Sequence, residues 1–308
     1  QVRVTACSPS PYNSCAQADF GIDVDNWPVV AAPIVGNQVA AVGEAFSYSV
    51  PAGTFTDADA GDTLVLSTGA LPAWLSFDAP SGTLSGTAAG GDAGLASVTV
   101  TAGDGRAGSA SCTVTIDVDH RPTVATPLPD VVANVSSGFA VAFGAGTFAD
   151  ADAGDLPLTI TAALANGSAL PAWLVFAAAT VAFSGVPPEA MGLAVRVTAS
   201  DGRLSVHDDF ALYTEHFPVL QAAVADQRAR TGAAFTFAVP AGTFFDGDGH
   251  TLAYTAARAN GSALPAWLSF DGPTQTFSGT PPAPGAAEVM MQVRVTACSP
   301  SPYNSCAQ

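Results

Sequence analysis

The chain has 308 residues and a formal net charge of −17; 48% of its residues are hydrophobic and only 11% are charged. All nine basic residues are arginines, and such an excess of acid repels nucleic-acid phosphates and anionic membrane surfaces. No apolar run reaches the roughly 18 residues that a membrane-spanning helix needs. The hydrophobic fraction excludes a disordered polymer, and 30 glycines with 23 prolines favour short strands joined by tight turns.

The chain begins with a segment that returns at its other end. Residues 1–17, QVRVTACSPSPYNSCAQ, are identical to residues 292–308, which gives a long period of 291 residues. Apolar and polar residues alternate in VRVTA, as in a strand buried on one face. Each copy carries a C-x7-C spacing that predicts a disulfide-closed hairpin and an oxidising compartment; a pair of free thiols is the alternative. The predicted pairs are Cys7 with Cys15 and Cys298 with Cys306.

A shorter, degenerate repeat lies within the long period. PAGTFTDADAGDTL (51–64) recurs at 144–158 and 240–252, each time followed by LPAWL, a segment with a Ser-Gly pair and an alternating strand. The units begin near Pro28, Pro122 and Pro218, so they are spaced by 94 and 96 residues. Strands of five to seven residues with frequent turns, in units of about 95 residues, are typical of a seven-stranded β-sandwich. We therefore predict an all-β chain of tandem immunoglobulin-like domains.

The predicted domain limits follow from these repeats. Residues 1–27 are the terminal strand pair of a preceding domain, 28–120 the first domain, 121–216 the second, and 217–308 a third that lacks its last strand. The missing strand corresponds to ADFGIDV at 18–24. We expect either that the parent polypeptide continues at both ends or that chains complete one another head to tail.

The order F-x-D-x-D, LPxWLxF, FSGTP and VxVTAxDG resembles the dystroglycan-type cadherin-like domain, also described as a "putative Ig repeat". The resemblance covers essentially the whole chain in three consecutive copies. It implies an Ig-like sandwich, a secreted or surface location, frequent Ca²⁺ binding, and a role in adhesion or carbohydrate contact. It assigns no ligand by itself.

Clustered aspartates mark the candidate calcium sites. Carboxylates at i and i+2 around a glycine turn can converge on a hard cation, and Ca²⁺ prefers six to eight oxygen ligands. The loop after the alternating strand supplies another aspartate in the first and second domains. The alternative is a solvated acidic turn, because Asp and Gly are good turn formers. The candidates are Asp57, Asp59, Asp62 and Asp104 in the first domain, and Asp150, Asp152, Asp155 and Asp201 in the second.

The domain junctions carry a second acidic signature. IDVDNWP (22–28) and IDVDHRP (116–122) are similar to the acidic linkers of cadherins, although a plain solvated linker is an equal alternative. The weaker candidates are Asp23, Asp25, Asn26, Asp117 and Asp119. At the third junction only Glu215 is acidic, and His250 replaces the last aspartate of the loop. A hard cation gains little from imidazole, so calcium in the third domain is doubtful.

Three N-glycosylation sequons occur, at Asn134, Asn166 and Asn260, the last two equivalent and just before LPAWL; bare Asn-Gly turns are the alternative. Cys112 has no partner cysteine in its own domain. A small buried residue or an intermolecular disulfide both fit it.

No catalytic signature accompanies these features. None of the four histidines lies beside a nucleophile elbow, and the acids repeat in successive domains, as expected of structural metal sites rather than a single catalytic pair. The pattern predicts a non-enzymatic extracellular or cell-surface segment of a fibre, appendage or adhesin stalk, whose partners are further copies of itself. Carbohydrate-binding or cell-adhesion modules, with glycans as partners, are the alternative.

Overall fold

The structure is a computed structural model that describes residues 1–59, 61–152, 154, 156–282 and 290–308. It is nearly all β, with three single-turn 3₁₀ segments at Gly90–Asp92, Ala145–Thr147 and Ala178–Thr180. The chain divides into two compact units: Gln1–Arg121 with Asp150–Leu156, and Pro122–Ala149 with Pro157–Gln308. Within the described ranges, none of the helices has the length and apolar character needed to cross a bilayer.

The N-terminal hairpin opens the first unit. Strands β1 (Val2–Cys7) and β2 (Cys15–Phe20) pair antiparallel, and every residue of both strands is exposed. Cys7 lies opposite Cys15, and the two form a disulfide. Arg3 donates two hydrogen bonds to Asp19, its cross-strand neighbour. The predicted disulfide is confirmed, and so is its repeat between Cys298 and Cys306.

The first sandwich follows in the same unit. A four-stranded sheet, β4-β11-β10-β7, faces a three-stranded sheet, β5-β9-β8, and a short pair, β3-β6, completes it. The long strands β10 and β11 pair antiparallel, whereas β4 joins β11 in parallel. The strands are β3 (Val29–Val30), β4 (Gln38–Ala41), β5 (Ala45–Ser49), β6 (Phe55–Thr56), β7 (Val65–Thr68), β8 (Leu75–Asp78), β9 (Thr83–Thr87), β10 (Gly94–Gly103) and β11 (Ser109–Asp119).

The core of this sandwich follows from alternation along the strands. Val98, Val100 and Ala102 are fully buried on one face of β10, because side chains two apart point to the same side of a sheet. Trp74 packs against this core, with its ring edge-on to Phe46 at 6.0 Å between centroids.

The second sandwich, in the second unit, repeats the arrangement. Its sheets are β13-β20-β19-β16 and β14-β18-β17, with the short pair β12-β15. Phe183, Val195 and Leu212 lie in its buried core, with Trp173 packed against it. The strands are β12 (Thr123–Val124), β13 (Val131–Asn134), β14 (Phe139–Ala142), β15 (Phe148–Ala149), β16 (Thr159–Leu164), β17 (Leu174–Ala177), β18 (Ala182–Gly185), β19 (Met191–Ser200) and β20 (Ser205–Glu215).

The third sandwich, also in the second unit, has shorter sheets in the described part of the chain. They are β22-β26-β25, β24-β27-β28 and the pair β21-β23. Strand β28 pairs only Cys306 and Ala307 with β27, where the corresponding strands β11 and β20 have 11 residues each. The strands are β21 (Val219–Leu220), β22 (Phe235–Ala238), β23 (Phe244–Phe245), β24 (Ala253–Arg258), β25 (Leu268–Asp271), β26 (Thr276–Gly279), β27 (Val293–Cys298) and β28 (Cys306–Ala307).

One close backbone approach occurs in all three sandwiches. The glycine of each Ser-Gly pair faces the carbonyl oxygen of the LPAWL tryptophan, at Gly86 in β9, Gly185 in β18 and Gly279 in β26. A Cβ atom at these positions would lie 1.9, 2.1 and 1.8 Å from that oxygen. This contact explains why a glycine occupies the same place in every repeat.

Candidate metal-binding junctions

The same hydrogen-bonded clamp occurs at three junctions. The residue two positions before Pro28, Pro122 or Pro218 donates two hydrogen bonds, one from its backbone N–H and one from a side-chain nitrogen. The acceptors are the two carboxylate oxygens of the middle aspartate of the repeated acidic loop, which is Asp59, Asp152 or Asp248. Asn26 holds Asp59 in this way at 2.6 and 2.7 Å. His120 contacts Asp152 at 2.8 and 3.0 Å, and His216 contacts Asp248 at 2.5 and 2.7 Å. The clamp fixes the linker to the acidic loop.

The first aspartate of each loop supports the loop itself. Its Oδ1 accepts the backbone N–H of the middle aspartate, at 2.8 Å for Asp57, 2.7 Å for Asp150 and 2.9 Å for Asp246. In the described part of the chain, Oδ2 of Asp57 and of Asp150 is buried with no hydrogen-bond partner. Each of these carboxylates therefore uses one oxygen for the turn and leaves the other one buried without a hydrogen bond.

The second set of loops shows the same division of oxygens. Asp104 Oδ1 accepts the backbone N–H groups of residues 106, 107 and 108, and Asp201 Oδ1 accepts those of 203 and 204. The Oδ2 atoms of both aspartates are buried without a hydrogen bond from any described residue. Buried polar atoms in native proteins are nearly always satisfied, and an oxygen left this way suits a cation ligand.

The first junction gathers several of these groups. We use this name for residues Asp23–Pro28 together with the loop Asp57–Asp62, Asp104 and Arg106. Asp25, Asp59 and Asp62 each offer an oxygen within 4.8 Å of the others. Asp62 Oδ2 is also buried and without a hydrogen bond among the described residues. The cluster is thus a set of converging carboxylates.

Electrostatics at the first junction reflect this crowding. Desolvation and the charge of Asp104 raise the pKa of the Asp25 carboxyl; the charges of Asp59 and Asp62 add to this, and Arg106 opposes it. Hydrogen bonds from Asn26 lower the pKa of Asp59. The repulsion felt by Asp25 is the repulsion that a bound cation would relieve.

Arg106 supplies positive charge to this cluster. Its guanidinium contacts Asp23 at 3.0 Å, Asp25 at 3.3 Å and Asp62 at 3.1 Å. Asp23 is the outermost of these acids, with 82% of its side chain exposed. Arg106 was not among the residues predicted from the sequence; its position two residues after Asp104, within AGDGR, was the available signal.

The residues predicted for the second junction are divided between the two compact units, and each unit is described by itself. The following contacts are those of the first unit. Asp150 and Asp152 lie there with the His120 clamp, and Asp117 and Asp119 are buried at the end of β11. Asp201 lies in the second unit. Asp155 lies outside the described residues.

The third junction, defined as Glu215–Pro218 with the loop Asp246–His250 and the hairpin residues Ser299, Tyr303 and Ser305, differs in its donors. Glu215, Asp248 and His250 each offer an atom within 4.8 Å of the others. Glu215 was recognised in the sequence only as a lone acid. Counting back from the prolines would have identified it, because Asp25, Asp119 and Glu215 all stand three residues before one.

The sequons fall into two classes. Asn166 and Asn260 are exposed at turns between strands, and each accepts the backbone N–H of the serine two residues later, at 2.9 and 3.0 Å. Asn134 is half-buried at the end of β13, and its amide oxygen accepts the backbone N–H of Phe217. Cys112, half-buried beside the first core, is a free cysteine.

Fold and junctions together define a chain of tandem immunoglobulin-like domains. A family model described as "Putative Ig domain" matches residues 28–119, 121–213 and 217–305. The chain belongs to this family.

Several solved structures are similar to this chain at low identity. An I-band fragment I67-I69 from titin is 11% identical, with 92% of this chain and 94% of that one covered and a TM-score of 0.36. Extracellular domains 3-5 of Drosophila OTK are 10% identical, with 93% and 98% covered and a TM-score of 0.39. An endo-fucoidan hydrolase of glycoside hydrolase family 107 is 22% identical, with a TM-score of 0.30; 92% of this chain is covered, but only 44% of the hydrolase. No curated protein matches the chain.

Proposed function

We propose that this chain is a structural segment of an extracellular repetitive fibre, appendage or adhesin stalk, with junctions stiffened by Ca²⁺. The observation that carries the proposal is the exact return of residues 1–17 at 292–308, one long period later, in a chain of three tandem Ig-like repeats. Repetition lengthens a rod without adding a new kind of site. We keep 28–120, 121–216 and 217–308 as the domain limits, and the dystroglycan-type cadherin-like relationship, as part of this proposal.

Calcium is assigned first to the first junction. Asp57, Asp62 and Asp104 each direct a buried oxygen that no described residue hydrogen-bonds, and Asp25 and Asp59 add oxygens nearby. An all-oxygen donor set is what Ca²⁺ prefers. For the second domain the candidate residues remain Asp150, Asp152, Asp155 and Asp201, with Asp117 and Asp119 in the linker.

The surroundings follow from the same features. Two disulfides favour an oxidising, extracellular or surface location. Partners are further copies of the chain, and exposed Asn166 and Asn260 would carry glycan in a glycosylating source. Trp74, Trp173 and Trp267 pack against the cores, which favours a structural role over sugar-binding modules. The tandem Ig-like architecture supports a non-enzymatic role.

Calcium can be tested on the whole chain by melting and small-angle scattering. Compared with metal-free buffer, Ca²⁺ at about 100 times its Kd should stabilise the folded chain by about 2.7 kcal/mol and narrow the range of interdomain distances. The double variant Asp57→Asn/Asp62→Asn should lose the stabilisation at the first junction. Asp78→Asn, at the exposed end of β8 in the same sandwich, is the matched control. Identical melting and scattering of the unmodified chain with and without Ca²⁺ would contradict the proposal.

A further inference from the structure

The third junction contains a buried carboxylate that its surroundings only half satisfy. The Glu215 side chain is 0% exposed. Its Oε1 accepts a hydrogen bond from Ser305 Oγ, whereas Oε2 is buried and has no hydrogen-bond partner among the described residues. Burial raises the pKa of Glu215, opposed by the Ser305 hydrogen bond and the nearby His250. A carboxylate kept in this environment needs a positive partner.

His250 faces that carboxylate. Its Nδ1 lies 3.6 Å from Glu215 Oε2 and 3.6 Å from Asp246 Oδ1. Nδ1 is buried, and no described residue hydrogen-bonds it. The imidazole ring packs on Tyr303, with centroids 4.8 Å apart and the planes 30° from parallel. The ring is therefore held with its nitrogen directed at two carboxylates, at a distance too long for a hydrogen bond.

That spacing fits two ligands of one metal ion. Zinc–nitrogen and zinc–oxygen bonds of about 2.0–2.1 Å in a tetrahedral site would separate two ligand atoms by roughly 3.3–3.4 Å. Asp248 offers an oxygen within 4.8 Å of the His250 and Glu215 ligand atoms. Its carboxylate is oriented by the His216 clamp, as carboxylates that bind metals are commonly held by a further hydrogen bond.

We propose that the third junction binds a divalent transition cation of the Zn²⁺ class, with His250 Nδ1, Glu215 Oε2 and an Asp248 oxygen as its ligands and Asp246 beside them. Imidazole with carboxylates is a donor set that suits zinc and its neighbours, whereas Ca²⁺ takes oxygen. His216 is a positioning residue. This site and the first junction have no residue in common, so the zinc proposal does not depend on whether the first junction binds calcium.

The direct test is a titration of the full chain, freed of metal, with Zn²⁺ by calorimetry and with Co²⁺ by visible absorption, both in a large excess of Ca²⁺. We expect one stoichiometric site that Ca²⁺ does not displace, and a Co²⁺ spectrum of a nitrogen- and oxygen-ligated ion. His250→Ala should weaken binding more than about tenfold, and His216→Ala about 10-fold to 100-fold.

Matched control variants distinguish this site from nonspecific metal binding elsewhere on the chain. His207→Ala changes an exposed histidine on β20, and Cys112→Ser removes the free thiol; neither should alter the affinity. His250→Asp restores an all-oxygen set and should reverse the preference, with Ca²⁺ gaining and Zn²⁺ losing affinity. It also serves where the alanine variant fails to fold.

Three results would overturn the proposal. They are the absence of stoichiometric Zn²⁺ binding, binding unchanged by both His250 variants, and displacement of Zn²⁺ by millimolar Ca²⁺.

Discussion

The first and third junctions share one scaffold and surround it with different chemistry. In both, a linker residue clamps the middle aspartate of the loop, through Asn26 to Asp59 and through His216 to Asp248. The other polar groups around the first clamp are aspartates, and Arg106 is the positively charged residue among them. Around the third they include a histidine, a fully buried glutamate and hydroxyl groups of the disulfide hairpin.

The comparison separates two parts of the junction. The clamp holds the linker against the loop, and the side chains around it are the ones that would determine which ligand binds. The clamp joins linker to loop with donors as different as an asparagine amide and a histidine ring, so it tolerates changes in its partner. At the outer positions His250 replaces Asp62, which exchanges a carboxylate oxygen for an imidazole nitrogen, and Glu215 replaces Asp25, which keeps a carboxylate on a longer side chain. We therefore expect an exchange between Asp62 and His250 to alter the cation that each junction prefers.

The largest effect should come from a substitution that destabilises the third sandwich as a whole. Gly279→Ala would place a Cβ 1.8 Å from the Trp267 carbonyl oxygen, and an overpacked backbone contact of this kind should destabilise the third sandwich by about 3 kcal/mol or more. Calorimetric melting should show that transition move down, with loss of the third-junction metal site and retention of calcium binding at the first.

Ser278→Ala is the control for that substitution, because Ser278 is the exposed neighbour of Gly279. A change within about 0.5 kcal/mol is expected there. Equal loss of both metal sites in Gly279→Ala would show that the junctions are not independent.

A smaller effect should follow from exchanging the clamp donors. Asn26→Ala and His216→Ala each remove one side-chain hydrogen bond to a carboxylate, a stronger interaction than a hydrogen bond between neutral groups. Hydrogen exchange should then rise roughly tenfold or more at the backbone amides that still donate to Asp59 and Asp248. Asn26→His and His216→Asn should keep most of the protection, since each donor already serves at the other junction. Loss of protection in both exchanged variants would show that each clamp is specific to its donor.

The Ig-like fold was largely predictable from the sequence. Alternation in SVTVTAGDG gives the buried face of Val98, Val100 and Ala102, and three repeats with the same turn signals leave little choice of architecture. Asp57, Asp59 and Asp62 could be assigned to one loop because their short spacing around a glycine constrains them locally.

Contacts between distant segments could not be predicted in this way. Arg106 reaches Asp23 across 83 positions, and Ser305 reaches Glu215 across 90. Such pairs depend on the register of long strands and on the conformation of the hairpin, which a single sequence does not specify. The buried state of Glu215 likewise follows from tertiary packing, since its sequence neighbours are polar or aromatic residues of an apparent linker.

The smallest effect concerns an exposed ion pair. Its contribution to the free energy of unfolding is the reference against which the clamp variants are compared. The hydrogen bond from Arg196 lowers the pKa of Asp209, its cross-strand neighbour on β19 and β20. Because the folded pKa is depressed, the pair stabilises the protein above the unfolded pKa of Asp and loses this contribution as pH falls through the folded value. Asp209→Asn in metal-free buffer should therefore cost about 0.2–1 kcal/mol at pH 7 and nothing in strong acid, as measured by denaturant unfolding. A pH-independent cost would assign the effect to packing, and a cost as large as that of a clamp variant would mean that the clamps are ordinary surface pairs.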